Sequence, residues 1–240
     1  MKLDDIKKLQ QKKYRAELGH FLVEGEHLLL ELQKAALHNP LLQRSQLYVT
    51  SAYEHWQSPF KTQVISDRQM AQIADTQTPQ GILAVVPMLE SAAPAVAGER
   101  AIYLHEIQDP GNLGTILRTL AWFGGFRCLL SPGSVDPYNP KVVRSSMGAI
   151  FHAPLELDVQ LDSLRTRFAH IACLDMQGEP VQSAGFKAFD CYLFGNEARG
   201  VPREQLIALN AQPFTIAGCG AIESLNLATT VNMCAYELKR

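Results

Sequence analysis

Towards the end of this chain two short apolar runs each break into a glycine-rich polar loop, and few folds accommodate that arrangement. The first run, Cys-Tyr-Leu-Phe at 191–194, stops at Gly-Asn-Glu-Ala-Arg-Gly, 195–200. The second, Pro-Phe-Thr-Ile at 213–216, stops at Ala-Gly-Cys-Gly-Ala-Ile-Glu-Ser-Leu-Asn, 217–226. Apolar runs of this length bounded by glycine read as buried strands ending in tight turns. Between them Pro202 suits a first helical turn, with Leu206, Ile207 and Leu209 as its apolar face. From Asn226 a last helix follows, with Leu227, Val231, Ala235 and Leu238 at helical spacing. Each loop carries a glutamate and an asparagine, and ligands in open α/β sheets bind just beyond such strand ends. The two loops are therefore the candidate site.

The same alternation runs upstream. A strand is expected at 101–107, a turn at 108–111, and a helix at 113–123 with Asn112 placed to cap it. Leu113, Ile116, Leu117, Leu120 and Ala121 form its buried stripe, and Gly124 and Gly125 end it. A strand at 127–130, a helix from Pro140 to Gly148 and a strand at 170–174 complete a βαβα pattern, which predicts a mostly parallel sheet covered by helices over 101–240. Residues 89–100 combine small residues with proline and glycine and show no hydrophobic period, so they read as a linker. Before it, short strands ending at Gly25 and lying at 47–50, 62–65 and 80–86 alternate with helices that include Leu28, Leu29 and Leu32, and 67–74. Residues 1–88 are thus expected to form a small α/β domain of their own.

The loops also carry a resemblance. Gly195-Asn196-Glu197-Ala198-Arg199-Gly200 and 216–226, ending Glu223-Ser224-Leu225-Asn226, resemble the second and third motifs of the SpoU/TrmH family, RNA 2′-O-ribose methyltransferases of the SPOUT superfamily. Asn112-Leu113-Gly114-Thr115-Ile116-Leu117-Arg118 is similar to the first motif. The strings at 21–25 and 78–81 resemble the substrate-binding domain, similar to ribosomal protein L30e, that precedes the catalytic domain in many members. The resemblance implies an L30e-like α/β N-terminal domain and a SPOUT α/β domain knotted as a trefoil, which hydrophobic periodicity alone would render as an ordinary doubly wound sheet. It implies S-adenosylmethionine as cofactor, held by Leu174, Gly195, Asn196, Gly200, Ile216 and Leu225. It further implies a homodimer acting on RNA, with rRNA (a 23S-type guanosine or similar) favoured by the N-terminal domain. A tRNA substrate, or a non-catalytic RNA-binding protein that kept the pocket, are the alternatives.

By the same resemblance Asn112, Arg118, Glu197, Ser224 and Asn226 are the catalytic candidates. Arginine is a poor base because its pKa exceeds about 12. Binding the target's phosphate or orienting the 2′-oxygen is the physically easier role for Arg118. Glu197 would orient Arg118 or hold the loop, and Ser224 would hydrogen-bond the ribose or the arginine. Asn112 and Asn226 each read equally as helix caps. Arg144, before Ser145-Ser146-Met147-Gly148, is a candidate phosphate contact.

Composition narrows the partners. The net charge of −2 gives no overall basic signature, yet Lys2, Lys7, Lys8, Lys12, Lys13 and Arg15 face only Asp4 and Asp5. Lys12, Lys13 and Arg15 are therefore expected either on a solvated helix face or at RNA phosphate. None of the five cysteines forms a CxxC pair and the histidines lack ligand spacing, so no metal site is expected. Without a signal peptide or a long apolar run, a cytoplasmic location off the membrane is expected.

Overall fold

The predicted alternation of short strands and amphipathic helices resolves into two sheets in the computed structural model, which describes residues 1–89 and 94–240. Contacts divide the chain into two units, Met1–Glu90 with Asp136–His152, and Ser91–Val135 with Ala153–Arg240. Of the expected linker, 90–93 lie outside the described residues. Its end is not free chain: the Glu99 carboxylate, 6% exposed, is bound by Arg127 at 2.9 Å.

The first unit opens with helices α1 (Leu3–Lys8) and α2 (Lys12–Leu18), followed by β1 (His20–Glu24) and α3 (Glu26–Ala36). Strands β2 (Gln46–Val49) and β3 (Lys61–Val64), helix α4 (Asp67–Ile73) and strand β4 (Ile82–Pro87) follow. The sheet order is β1-β4-β2-β3, with β4 antiparallel to both neighbours and β3 parallel to β2. Ile6 and Leu9 of the basic opening segment are fully buried in one core with Leu22, Tyr48, Met70 and Ile73. The cationic stretch is therefore a docked element and not a loose arm.

The second sheet contains β5 (Arg100–Leu104), β6 (Phe126–Leu130), β7 (Leu155–Glu156), β8 (Ile171–Pro180), β9 (Cys191–Phe194) and β10 (Gln212–Thr215). Its order is β10-β8-β9-β5-β6-β7, every neighbouring pair parallel. Helices α5 (Pro110–Phe123), α6 (Pro140–Ser146), α7 (Leu164–Arg167), α8 (Arg203–Ala208) and α9 (Leu227–Lys239) complete the chain. Strands β6 and β9 are buried at every position and β5 at all but its first. Central parallel strands covered on both faces read as continuous apolar runs for this reason.

Three expectations change. Helix α5 begins at Pro110, and its cap is Asp109, whose Oδ1 accepts the Asn112 N–H at 2.7 Å. Proline at the first helical position loses no hydrogen bond there. Strand β8 runs to Pro180, its outer half pairing with β10 across a register break between Pro213 and Phe214. A Cβ on Gly178 would lie 2.4 Å from the Pro213 oxygen, so only glycine permits that approach. In α8 no residue is buried and Ile207 is 79% exposed, so the expected apolar face shrinks to half-buried Leu206 and Leu209 just beyond the helix.

Asp136–His152, α6 included, packs with the first unit. The Tyr138 ring lies 4.8 Å from that of Phe21, and Phe151 lies 6.4 Å from it. Arg15 reaches the same segment: its guanidinium pairs with the Asp136 carboxylate, Nε donating at 2.9 Å.

Candidate active site

Because neighbouring strands are parallel, β5, β9 and β10 end at one edge of the sheet, and the loops that leave them form the candidate site. After β9 the chain closes a hairpin: Asn196 and Gly200 exchange main-chain bonds of 3.1 and 2.9 Å. A Cβ on Gly195 would sit 2.7 Å from the Gly200 backbone, so the hairpin needs glycine at 195. Asn196 is buried, and both its amide oxygen and its amide nitrogen are bonded. Its Oδ1 accepts from the N–H groups of Ala198 (3.0 Å) and Arg199 (3.1 Å), and its Nδ2 donates to the Glu106 carbonyl at 2.8 Å.

Glu106 clamps the hairpin to the end of β5. Its N–H donates to Ser131 Oγ at 2.7 Å, and its carboxylate takes Arg199 Nη2 at 2.6 Å. It holds a positive φ of 49°, uncommon for a residue with a Cβ and the kind of local strain that surrounding bonds must maintain. Next to it, His105 lies stacked against Tyr103, and its buried Nδ1 has no hydrogen-bond partner among the described residues. Burial, helped by Arg199 and opposed by Glu106, holds this imidazole below its ordinary pKa.

The clamp leaves Glu197 projecting from the hairpin tip. Its Oε1 accepts from Asn112 Nδ2 at 3.3 Å, and Asn112 Oδ1 accepts from Asn226 Nδ2 at 2.9 Å. Asn226 Oδ1 in turn accepts the Thr229 N–H at 3.2 Å and caps α9. Three loops from three strand ends are thus joined by one chain of side-chain bonds. Asn112 can serve in it because Asp109 relieves it of capping, while Asn226 does both tasks.

Arg118 and Ser224 do not join this chain. Both are exposed, and neither side chain has a hydrogen-bond partner among the described residues. Six residues of helix place Arg118 about 120° around the axis from Asn112. It shares an exposed face with Thr115 and Trp122, the latter 84% exposed. Helix α9 runs alongside in the same direction, since Asn226 meets Asn112 at one end and Tyr236 meets Phe123 at 6.3 Å at the other. On α9, Met233 and Tyr236 are exposed.

The loop after β10 is open. Among the described residues, no hydrogen bond involves the main chain of 217–225, and Ile222 and Leu225 are exposed beside it. Ile216 and Leu174, at the ends of neighbouring runs, are half-buried. Free amides and carbonyls next to exposed aliphatic side chains form the donor set that a nucleoside-like ligand requires, polar edges read by main chain and a flat face covered by apolar groups. The residues present fit S-adenosylmethionine on that ground.

Residues 99–236 match the SpoU rRNA Methylase family, and 2–84 match the MRM3-like substrate binding domain. The chain belongs to the SpoU rRNA methylase family. A SpoU-family chain of this kind is an RNA methyltransferase. It is 30% identical over 243 residues to the 23S rRNA (guanosine(2553)-2′-O)-methyltransferase RlmP of Bacillus subtilis, covering 99% of this chain and 96% of that one. A TrmH-family structure from Porphyromonas gingivalis superposes with a TM-score of 0.83 at 26% identity, covering 99% of this chain and 96% of that one. An AdoMet-bound rRNA methyltransferase from Sinorhizobium meliloti shares the fold, with a TM-score of 0.82 at 24% identity over 99% of this chain and 93% of that one.

The residues expected at RNA lie in the other unit. Lys12 and Lys13 are exposed. Arg15 is not available: it is 2% exposed and its guanidinium is spent on Asp136 and on the carbonyls of Leu9 and Gln10, each at 2.9 Å. Arg144 is half-buried and paired with Asp75 at 2.6 Å. Glu106 and Asp109 were not singled out from the sequence. The Asp-Pro pair before a helical stripe is a capping signal that could have identified Asp109, whereas nothing local marks Glu106. Among the described residues no group of three or more histidines, cysteines or acids could hold a metal, and no helix is long and apolar enough to cross a membrane.

Proposed function

We propose that this protein is an S-adenosylmethionine-dependent 2′-O-ribose methyltransferase acting on rRNA, with a 23S-type guanosine as target. What carries the reading is the Glu197–Asn112–Asn226 chain beside the unpaired main chain of 217–225. When bound, S-adenosylmethionine supplies a methyl group on a positively charged sulfur. Ile216, Leu225 and Leu174 provide its apolar contacts, the main chain of Gly195 and 217–225 reads its polar edges, and Gly200, its main chain paired with Asn196, closes the hairpin beside them. Asn196 contributes by shaping the hairpin, its side chain being already committed.

A ribose hydroxyl is a weak nucleophile, so the protein's task is alignment first. Holding reacting atoms in line contributes about 7–11 kcal/mol in favourable cases, whereas a general base adds roughly 10²–10⁴-fold. Arg118 binds the phosphate beside the target ribose, orienting the 2′-oxygen. Ser224 hydrogen-bonds the ribose. Glu197 holds Asn112, keeping the three loops in register while the RNA enters.

The working form is a homodimer. Trp122 and Arg118 are exposed on α5, and Met233 and Tyr236 on the neighbouring α9; Arg118 has no side-chain hydrogen-bond partner among the described residues, and these four side chains form the proposed dimer face. A second copy on that face buries the aromatic groups and completes each site with an arginine. Residues 1–88 select the RNA, 101–240 transfer the methyl group, and the C-terminal segment is threaded as a trefoil knot. The compartment is the cytoplasm, consistent with four buried, unbridged thiols, of which burial pushes Cys128 and Cys234 up to about 12.

The test is a 2′-O-methyl map of rRNA and tRNA from cells with and without the gene. One rRNA ribose should lose its methyl group and regain it with purified protein. Loss confined to tRNA, or no loss at all, would overturn the reading.

A further inference from the structure

The two opening helices, α1 and α2, present a surface that the methyl-transfer site does not use. From beneath it is held rigidly: Ile6 and Leu9 are fully buried, Gln10 Nε2 donates to the Ala74 carbonyl at 2.8 Å, and Arg15 Nη1 ties the turn through the Leu9 and Gln10 carbonyls. Outwardly it shows Lys2, Lys7, Lys8, Lys12 and Lys13, all exposed, of which among the described residues only Lys8 has an acidic partner, Asp5 at 2.9 Å. The chain as a whole is net negative, so this excess of positive charge is local.

Tyr14 lies among these lysines. The ammonium groups of Lys8 and Lys13 lie 5.9 and 5.7 Å from its ring centroid, and its hydroxyl has no hydrogen-bond partner among the described residues. A half-buried aromatic ring ringed by cations on a rigid support suits two features of a nucleic-acid strand at once. Phosphates meet the lysines, and a base meets the ring. An intact A-form duplex offers no free base face, so the ring selects an unpaired strand.

We propose that this face is a single-stranded RNA site, in which Tyr14 stacks on one base while Lys8, Lys12 and Lys13 bind the flanking phosphates. The inference rests on the proposed RNA methyltransferase activity and specifies which surface takes the RNA and in what form. Lysine ammonium groups on four-carbon stems swing to a phosphate and leave the ring to the base.

Three probes separate the contributions: a labelled twelve-nucleotide single-stranded RNA, a duplex RNA of the same length, and inorganic polyphosphate, which carries charge without bases. Tyr14→Ala should weaken single-strand binding by about 5- to 150-fold and leave polyphosphate binding unchanged, which also reports an intact fold. Tyr14→Phe should bind as wild type. Lys12→Ala with Lys13→Ala should lower the slope of log K against log salt by about 1.4 for the RNA strand. Wild-type RNA binding by Tyr14→Ala, equal loss on polyphosphate, or equal dependence of the duplex on Tyr14 would each overturn the site. Methyl transfer by the wild-type protein is measured alongside. Transfer with a neutral Tyr14→Ala removes the strand site alone, whereas no transfer with an intact Tyr14 effect removes the proposed activity alone.

Discussion

Asn196→Ala is the sharpest test of how the hairpin is held. The substitution removes three hydrogen bonds, to the Glu106 carbonyl and from the N–H groups of Ala198 and Arg199. Net values of about 0.5–1.5 kcal/mol apply to each such bond. The two amides lie on exposed residues where water replaces the lost acceptor, and the Glu106 carbonyl still accepts from Gln108 Nε2 at 3.0 Å. The total should therefore fall towards the low end, about 1–2 kcal/mol, lowering Tm by about 2–8 °C. Activity should fall further than stability, because Glu197 is the next residue and its bond to Asn112 depends on the hairpin's shape. A displacement near 1 Å costs about 100-fold in rate. Asn196→Asp keeps the acceptor and loses the donor, and should lie between. Melting followed by circular dichroism, beside a tritium-methyl assay on bulk rRNA, reads both effects. A lowered Tm with wild-type transfer would refute the link from Asn196 to the placement of Glu197.

Arg118→Ala should abolish transfer while calorimetry shows S-adenosylmethionine bound nearly as before; wild-type turnover would sink its assignment to the RNA side. Sedimentation should give roughly twice 26.6 kDa, and Trp122→Asp should yield an inactive monomer, whereas a fully active monomer would contradict the shared site. Folding holds the His105 imidazole below its ordinary value of 6.5, so the unfolded chain binds its proton first as pH falls. Its contribution is complete above pH 6.5 and declines as pH drops through that value towards the lower folded pKa; His105→Gln should flatten this part of the Tm profile, and an unchanged acid slope would exclude His105 as its source.

Where the fold was legible, the signal was local and apolar. The run 191–194 and its glycine stop mark β9 because a central parallel strand is covered on both faces and its loop needs Gly195. The stripe Leu113, Ile116, Leu117, Leu120 marks α5 for the same kind of reason. Its start was misplaced because asparagine and aspartate compete for one role, and only the bond from the Asn112 N–H to Asp109 decides between them. Asn112, Glu197 and Asn226 stand in motifs visible in the sequence and are bonded together in the fold, but the clamp at Glu106 was not visible, since a positive φ and a partner 93 positions away leave no mark on neighbouring residues. Likewise Arg15 looked like its basic neighbours, and only Asp136, 121 positions away, turns it inward. Long-range pairing of this sort has no period to detect.

The excursion of Asp136–His152 into the first unit has a consequence for synthesis on the ribosome. The first ninety residues emerge as a nearly finished domain that still lacks its last piece, encoded about sixty residues later. At about 5–20 residues per second the wait is roughly 3–12 s. Throughout that interval Arg15 has no Asp136 to neutralise it, and Phe21 has neither Tyr138 nor Phe151 against its ring. The nascent domain therefore exposes a charged and aromatic seam until Asp136–His152, which follows β5, α5 and β6, has left the exit tunnel. A chaperone that binds such seams would meet this chain at a defined length, and stalling translation between 90 and 152 should trap it there.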